Sequence, residues 1–352
     1  MLEFIRAYYH SLDAVGQTTL LTTPMLLTAV AVLLVLERRM PYRKGLSFFR
    51  EGLWVDLIWY TLFQSFLLKI LIFDFILQPL DKKFGFWHHS FLSQWPIWGQ
   101  VLFFLITHDF YIYWFHRLQH NSKFLWRTHE AHHSGKQVDW LAGSRSHAVE
   151  ILINQTIEFA PIILLGANPI VVPIKALIDA VWGMYIHANI DVKSGKLQYV
   201  INGPEMHLWH HADHEEVYYA NFSTKFAFWD WLFGTAFKPA DRKPEKWGLY
   251  YDFPKDYFLQ HVFSVRRLDE HLLLQKSVFR HYAAARPAVV HWLSQRVPAL
   301  GVLKGWDVPA APTISLVGDP NHRPEKPVGG AGPAAMAVTS SAPTESVAAA
   351  SH

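Results

Sequence analysis

The sequence predicts an all-α integral membrane protein with about four transmembrane or hairpin helices, capped by a cytoplasmic helical domain that carries histidine boxes. Three observations predict this fold class. Apolar residues make up 51% of the 352-residue chain and charged residues only 17%, below the roughly 25% usual in soluble domains. Residues 14–36 contain no charged side chain. Twelve of the 21 histidines lie between His108 and His214. The small net charge of +3 argues against a nucleic-acid partner.

The first two predicted spans form an N-terminal transmembrane region over residues 1–96. Residues 14–36 are long enough to cross the roughly 30 Å hydrocarbon core of a bilayer at 1.5 Å per residue. Residues 53–77 form a second apolar run, which Asp56, Lys69 and Asp74 interrupt. We expect both segments to be membrane helices.

A third span and a hairpin follow. Residues 97–115 are mostly apolar, with His108 and Asp109 near their middle. A helical hairpin is predicted next, with residues 151–166 and 170–187 as its two arms. Whether this hairpin crosses the bilayer or only enters it, both of its ends return to the same side.

The distribution of basic residues predicts the orientation of these helices. The loop over residues 37–44 holds four Lys or Arg residues, so it is expected on the cytoplasmic side. Alternating spans then bring residues 116–150 to the cytoplasm, and the hairpin returns residue 188 onward to the same face. The histidine-rich segments therefore converge on the cytoplasmic face, at the inner membrane of a bacterium or the endoplasmic reticulum of a eukaryote. Residues 239–307 are expected to form a cytoplasmic helical extension. Residues 308–352 are rich in Pro, Ala, Gly and Ser and are predicted to be a disordered tail.

Histidines recur in this region in three boxes at helical spacing: residues 116 and 120 form the first box, residues 129, 132 and 133 the second, and residues 207, 210 and 211 the third. Positions i, i+3 and i+4 share one helix face, so each box directs two or three imidazoles to a common point. A further histidine closes the hairpin. The candidate metal ligands are His116, His120, His129, His132, His133, His187, His207, His210 and His211.

Nine imidazoles are roughly the supply that two five- or six-coordinate ions need, whereas a tetrahedral zinc takes at most four. The chain has no cysteine, so thiolate ligation is excluded. Imidazole suits Zn, Cu, Fe and Ni and does not favour Mg or Ca. The sequence therefore predicts a dinuclear transition-metal site.

Four motifs carry a resemblance to a known family. They are HDFYIYWFHRLQH…LWRTHEAHHS (108–134), RSHAVE (145–150), WGMYIHANI (182–190) and MHLWHH…YANFSTKFAFWDWLFGTAF (206–237). In this order they resemble the fatty acid hydroxylase / sterol desaturase superfamily, and the resemblance covers roughly residues 97–238. It implies a catalytic domain there, with the boxes holding two non-haem iron ions. One position departs from the fatty acid 2-hydroxylase branch, which has a second histidine where this chain has Gly183.

The resemblance also implies the reaction class. It implies O2-dependent hydroxylation or desaturation of a membrane lipid, with O2 as co-substrate and electrons from a separate donor such as a ferredoxin, cytochrome or reductase. A sterol, a fatty acyl chain, an ether lipid and an aminolipid all remain open as substrates.

Three further residues are candidates to support the ligands. Asp109 precedes His116 by seven residues on nearly the same helix face, so its carboxylate is expected to orient a ligand imidazole. His108 lies within a predicted span and His147 precedes the hairpin, with Glu150 as a candidate partner for His147. We expect each to act next to the site or in packing.

Two other classes of protein fit parts of the pattern. His129-Glu130-x-x-His133 matches the HExxH motif of zinc metalloproteases, in which the Glu is the general base. An intramembrane metalloprotease would leave the third box unexplained. A bis-histidine haem electron carrier would need histidine pairs on facing membrane helices.

Overall fold

The computed structural model describes residues 2–85, 90–265, 288–289 and 291–298. Within these ranges the chain is helical and contains no strand, only isolated bridges such as Pro41–Ile190. The all-α prediction is therefore confirmed for the described part of the chain. The predicted tail over 308–352 lies outside it, as do residues 266–287, 290 and 299–307 of the predicted extension over 239–307.

Two helices form the amino terminus, α1 (Leu2–Ser11) and α2 (Ala14–Arg39). Helix α2 begins where the Asp13 side chain accepts a hydrogen bond from the Gly16 amide at 2.7 Å, which satisfies one of the amides left free at a helix start. About half of its apolar side chains are exposed, and Leu33 alone is buried. Its length and hydropathy are those of a membrane span.

A second long helical segment, Val55–Phe84, is also long and apolar enough to cross a bilayer. It alternates between π-helical stretches (Val55–Gln64 and Leu71–Leu77) and the α-helices α3 (Ser65–Ile70) and α4 (Gln78–Phe84). Its one buried acid, Asp56, is paired with Arg145 at 2.6 Å and with Arg50 at 2.7 Å. Of the three charges that interrupt the apolar run, Asp56 is therefore buried and paired within the protein, as a buried charge must be, whereas Lys69 and Asp74 are exposed.

The third predicted span and the hairpin correspond to α5 (Ile97–Asn121), α7 (Ala148–Leu164) and α8 (Val171–His187). Among the described residues, only α2 and Val55–Phe84 have the length and hydropathy of a span, so a membrane crossing by α5 or the hairpin stays a prediction. These helices pack on Val55–Phe84 through one apolar cluster that includes Leu68, Ile72, Phe104, Ile162 and Val171.

The remaining α-helices of the described residues are short, and we refer to them and the loops between them as the cap. These helices are α6 (Lys123–His133), α9 (Pro204–His210), α10 (Phe228–Leu232) and α11 (Tyr257–Phe263). Leu208, Val217 and Trp247 are buried in a separate apolar cluster beside α9. The carboxyl-terminal ends of α5, α6, α8 and α9 all meet between this cap and the long helices, and each of these ends carries histidines.

Candidate metal centre

The structure brings all nine predicted histidines together in two groups. Within each group, one ring nitrogen from every member lies within 4.8 Å of the corresponding nitrogen of every other member. The first group is His116, His120, His129, His133 and His210, and the second is His132, His187, His207 and His211.

Two of the histidine boxes divide between the groups. On α6, the i, i+4 pair His129 and His133 belongs to the first group, and His132 belongs to the second. On α9 the division is reversed, since His207 and His211 lie in the second group and His210 in the first. Successive helical residues are about 100° apart, so the i+3 member of each box points to one side of its i, i+4 pair. The groups are therefore neighbours that share two helical elements.

Hydrogen bonds from Nδ1 fix the ring orientation at most of these histidines. The acceptor is a backbone carbonyl at five rings: Phe222 O for His116 at 2.8 Å, Tyr218 O for His120 at 2.9 Å, Arg145 O for His132 at 3.0 Å, Gly183 O for His187 at 2.6 Å and Ala220 O for His210 at 2.8 Å. A carbonyl oxygen can only accept, so Nδ1 carries the proton in each ring. The lone pair of each neutral ring therefore lies on Nε2, which is the atom a metal would bind.

Four rings of the first group have a buried Nε2 atom that lacks a hydrogen-bond partner within the described chain. They are His116, His129, His133 and His210. In the second group, Nε2 of His187 lies 2.9 Å from Nε2 of His207 and 3.2 Å from Nε2 of His132. Two nitrogens bound to one ion at about 2.1 Å are roughly 3 Å apart when their bonds meet near a right angle. Both arrangements fit a bound metal ion.

Burial also keeps these rings in the neutral, ligating form. Desolvation lowers the pKa of His133, His207 and His211 well below the ordinary value, and neighbouring imidazoles lower it further. The same desolvation lowers the pKa of His210 to about 3. These four rings are therefore unprotonated at neutral pH.

Glu150 is a site residue that the sequence analysis assigned to the wrong partner. Its carboxylate accepts a hydrogen bond from Nδ1 of His129 at 2.9 Å, and both side chains are buried. A carboxylate behind a ligating imidazole orients the ring and raises its basicity. The nearby His147 instead caps α7, since its Nδ1 accepts from the Val149 amide at 3.2 Å.

Asp109 contacts the segment after the third box. Its carboxylate is fully buried and accepts hydrogen bonds from Thr224 Oγ1 at 2.6 Å, from the Lys225 and Phe226 amides at 2.9 and 3.0 Å, and from Trp229 Nε1 at 3.2 Å. The expected contact with a ligand imidazole is not among its hydrogen bonds within the described chain. Asp109 therefore secures a loop of the cap to α5.

His108 belongs to a separate polar cluster between α5, α7 and α8. The ammonium of Lys175, which is fully buried, lies 3.1 Å from His108 Nδ1, 2.8 Å from Glu158 Oε1 and 2.6 Å from Asp179 Oδ2. Since an ammonium only donates, His108 acts as a neutral acceptor here. Lys175 already supplies the cation among these three potential ligands, so the cluster is not a third metal site.

The geometry does not favour the metalloprotease reading. Glu130, the base that HExxH would require, is fully buried and accepts a hydrogen bond from Tyr251 Oη at 2.5 Å. His129 and His133 lie in a group with three further histidines. Catalytic zinc sites of this class have three protein ligands and one open position, so five histidines are more than such a site needs.

Comparisons with known proteins find one family and several lipid-modifying relatives. The family described as fatty acid hydroxylase matches residues 101–235. The chain is 29% identical over 276 residues to an ornithine lipid hydroxylase of Rhizobium tropici, which covers 74% of this chain and 83% of that protein. It is 26% identical over 161 residues to an alkylglycerol monooxygenase of Homo sapiens, and 28% identical over 167 residues to a methylsterol monooxygenase of Arabidopsis thaliana.

These matches differ in extent. The chain covers 35% of the human protein and 60% of the Arabidopsis protein, so it spans only part of each. No solved structure matches the chain significantly. The family match covers the motifs that carry the histidines, and these relatives are lipid hydroxylases and monooxygenases by name. The resemblance to the fatty acid hydroxylase / sterol desaturase superfamily is therefore confirmed, with the family match over residues 101–235.

Proposed function

We propose that this chain is a membrane-bound, O2-dependent lipid hydroxylase whose two histidine groups hold two non-haem iron ions. One observation carries the proposal: six of the nine rings donate Nδ1–H to an oxygen atom, which leaves Nε2 as the inward-facing lone pair. Packing alone gives no reason for so many buried rings to present lone pairs to one another, because such an arrangement is unfavourable without a cation.

The number and type of ligands support two iron ions. A single ion accepts six ligands at most, whereas these imidazoles form separate groups of five and four. Imidazole nitrogen suits iron and does not favour Mg or Ca. The names of the relatives are those of monooxygenases and hydroxylases, a chemistry for which iron is well suited and zinc, which has no redox activity, is not.

The overall reaction combines a C–H group with O2, two electrons and two protons to give C–OH and water. Bound iron would supply the activation of O2. The chain holds the rings neutral and oriented through the carbonyl and Glu150 contacts, and it keeps bulk water from the buried groups. The two electrons require a separate donor, since the chain has no cysteine for a cysteine-ligated iron–sulfur centre.

The substrate is proposed to be a lipid that reaches the site from the bilayer, on the cytoplasmic face. Aminolipids are the first class to test, because the ornithine lipid hydroxylase aligns with 74% of this chain and the alkylglycerol monooxygenase with 45%. Sterols, fatty acyl chains and ether lipids are the further classes that these relatives and the resemblance suggest.

The test is product formation with isotopically heavy O2. Membranes containing the protein, a reducing donor system and an aminolipid extract should yield a hydroxylated lipid that carries one heavy oxygen atom. His210→Ala should abolish the product, and His214→Ala, at an exposed position outside both groups, should retain it. A lipid profile that is the same with and without the protein in all four lipid classes would refute the proposal.

A further inference from the structure

One short segment of the cap supports three rings of the first group. The carbonyls at positions 218, 220 and 222 accept hydrogen bonds from rings on α5 and α9. The pairs are Tyr218 with His120, Ala220 with His210 and Phe222 with His116. These three carbonyls can face the same side only if the backbone conformation of residues 218–222 is fixed.

Asn221 stabilises that backbone conformation. Its φ is +57°, the only positive φ among the described residues other than glycine, and Asn tolerates this left-handed conformation better than most residues. The side chain is fully buried. Its amide nitrogen donates to Met206 O at 2.8 Å and to Phe237 O at 2.7 Å, and its amide oxygen accepts from the Phe237 amide at 2.7 Å.

One of these bonds connects the segment to α9, which carries His210, and the other two connect it to Phe237. Met206 lies on α9, one residue before His207, so Asn221 fixes the segment to the same helix that carries His210. On the other flank, Asp230 accepts from the Phe222 and Ser223 amides at 2.8 and 2.9 Å. The segment therefore cannot shift without moving Nδ1 acceptors away from both α5 and α9.

We propose that Asn221 is a positioning residue for the metal centre, which sets the tautomer and direction of His116, His120 and His210 through the carbonyls on either side of it. This inference rests on the proposed metal site, because its effect is exerted on Nε2 atoms as ligands. Removal of a residue that orients a metal ligand typically weakens metal affinity by about 10–100-fold.

Two variants test the role of Asn221 without relying on activity. Asn221→Asp keeps the shape and the acceptor oxygen but replaces the NH2 donor with an oxygen that faces two carbonyls. Asn221→Gly keeps the positive φ at little cost and removes all three side-chain bonds. Asn121→Asp, at an exposed position whose side chain bonds, within the described residues, to the Arg117 carbonyl alone, is the matched control.

The measurements are the affinity for cobalt(II), in competition with a chelator, and the visible absorption of the bound ion, which reports its coordination. Both Asn221 variants should keep the helix content of the wild type, bind the ion in the first group at least about tenfold more weakly, and show an altered spectrum. The control should match the wild type. A folded Asn221 variant with wild-type affinity and spectrum would overturn the inference.

A second measurement uses the wild-type protein alone. Nitrogen NMR of histidine-labelled, metal-free protein should show the Nδ1–H tautomer at His116, His120 and His210, assigned by single His→Gln variants. Nε2–H at these rings would overturn the inference whatever the variants do. Wild-type protein that binds no cobalt but shows Nδ1–H rings would count against the proposed metal site and leave the ring orientation standing.

Discussion

At the scale of single residues, five rings of the two histidine groups are held by backbone carbonyls, and histidine spacing predicts that the rings converge but not which carbonyls hold them. Nine histidines were predicted as ligands, and all nine converge. The carbonyl that holds His116 belongs to Phe222, more than a hundred residues later, and any residue type can present a carbonyl. Glu150 could be recognised as a candidate from its carboxylate. Its proximity in sequence to His147 suggested that residue as its partner, whereas in the structure it bonds to His129.

Gly143 packs closely against His187 and allows the position of that ring to be tested. A Cβ added there would lie 2.7 Å from Nδ1 of His187 and 3.1 Å from its Cγ, closer than van der Waals contact allows. The ring cannot rotate away without losing its bond to the Gly183 carbonyl. Gly143→Ala should therefore displace His187 and weaken metal binding by at least about tenfold, measured by chelator competition.

Gly99→Ala is the matched control, because an added Cβ at that helical position meets its nearest atoms at 3.6–3.8 Å, ordinary contact distances. It should bind metal like the wild type and be as stable or more stable, since alanine favours a helix more than glycine does. Wild-type metal affinity in Gly143→Ala would show that His187 is not held where the structure has it.

At the scale of the elements, the sequence predicted which helices carry histidines but not how each helix is rotated. The i, i+3, i+4 spacing of a box gives a shared face, and the division of α6 and α9 between two groups depends on packing against neighbours. Asp109 illustrates the same limit. Its place on α5 relative to His116 suggested an imidazole partner, whereas residues 224–229 donate the four hydrogen bonds that its carboxylate accepts.

Asp109→Asn should consequently act on the cap. The substitution removes the charge and turns an NH2 group towards backbone and indole donors, and hydrogen bonds to a charged group contribute about 1.5–3 kcal/mol each. We expect the free energy of unfolding to fall by about 1–3 kcal/mol, and metal binding to weaken because residues 218–222 adjoin this loop. Thermal unfolding in detergent measures the change.

Asp241→Asn, at an exposed position of the cap, should unfold at the wild-type temperature. If Asp109→Asn did the same, the four bonds would not contribute to stability and the loop would be held by its other contacts alone.

At the scale of the whole molecule, hydropathy predicted the helices well. The uncharged run over 14–36 corresponds to α2, the run over 53–77 to Val55–Phe84, and the hairpin arms to α7 and α8 within a few residues. The third run was predicted to end at residue 115, but α5 continues to Asn121 and so includes the first box. Hydropathy marks where apolar character ends, whereas the helix continues because His116 and His120 are satisfied inside the cap.

The orientation of these helices gives a prediction for the intact protein in its membrane. Because the chain has no cysteine, single cysteines can be introduced at the exposed positions Lys196, Glu216 and Gln94. Lys196→Cys and Glu216→Cys should react with an impermeant thiol reagent only when the cytoplasmic side is accessible, and Gln94→Cys only from the opposite side. Labelling of Lys196→Cys from outside would contradict a cytoplasmic metal centre.

The number of iron ions bound per chain tests the dinuclear centre most directly. Elemental analysis of reconstituted, active protein should find about two iron ions per chain, as expected from groups of five and four ligands. His210→Ala in the first group and His207→Ala in the second should each lower that number, and His214→Ala should leave it unchanged. A single zinc ion per chain in fully active protein would contradict the account.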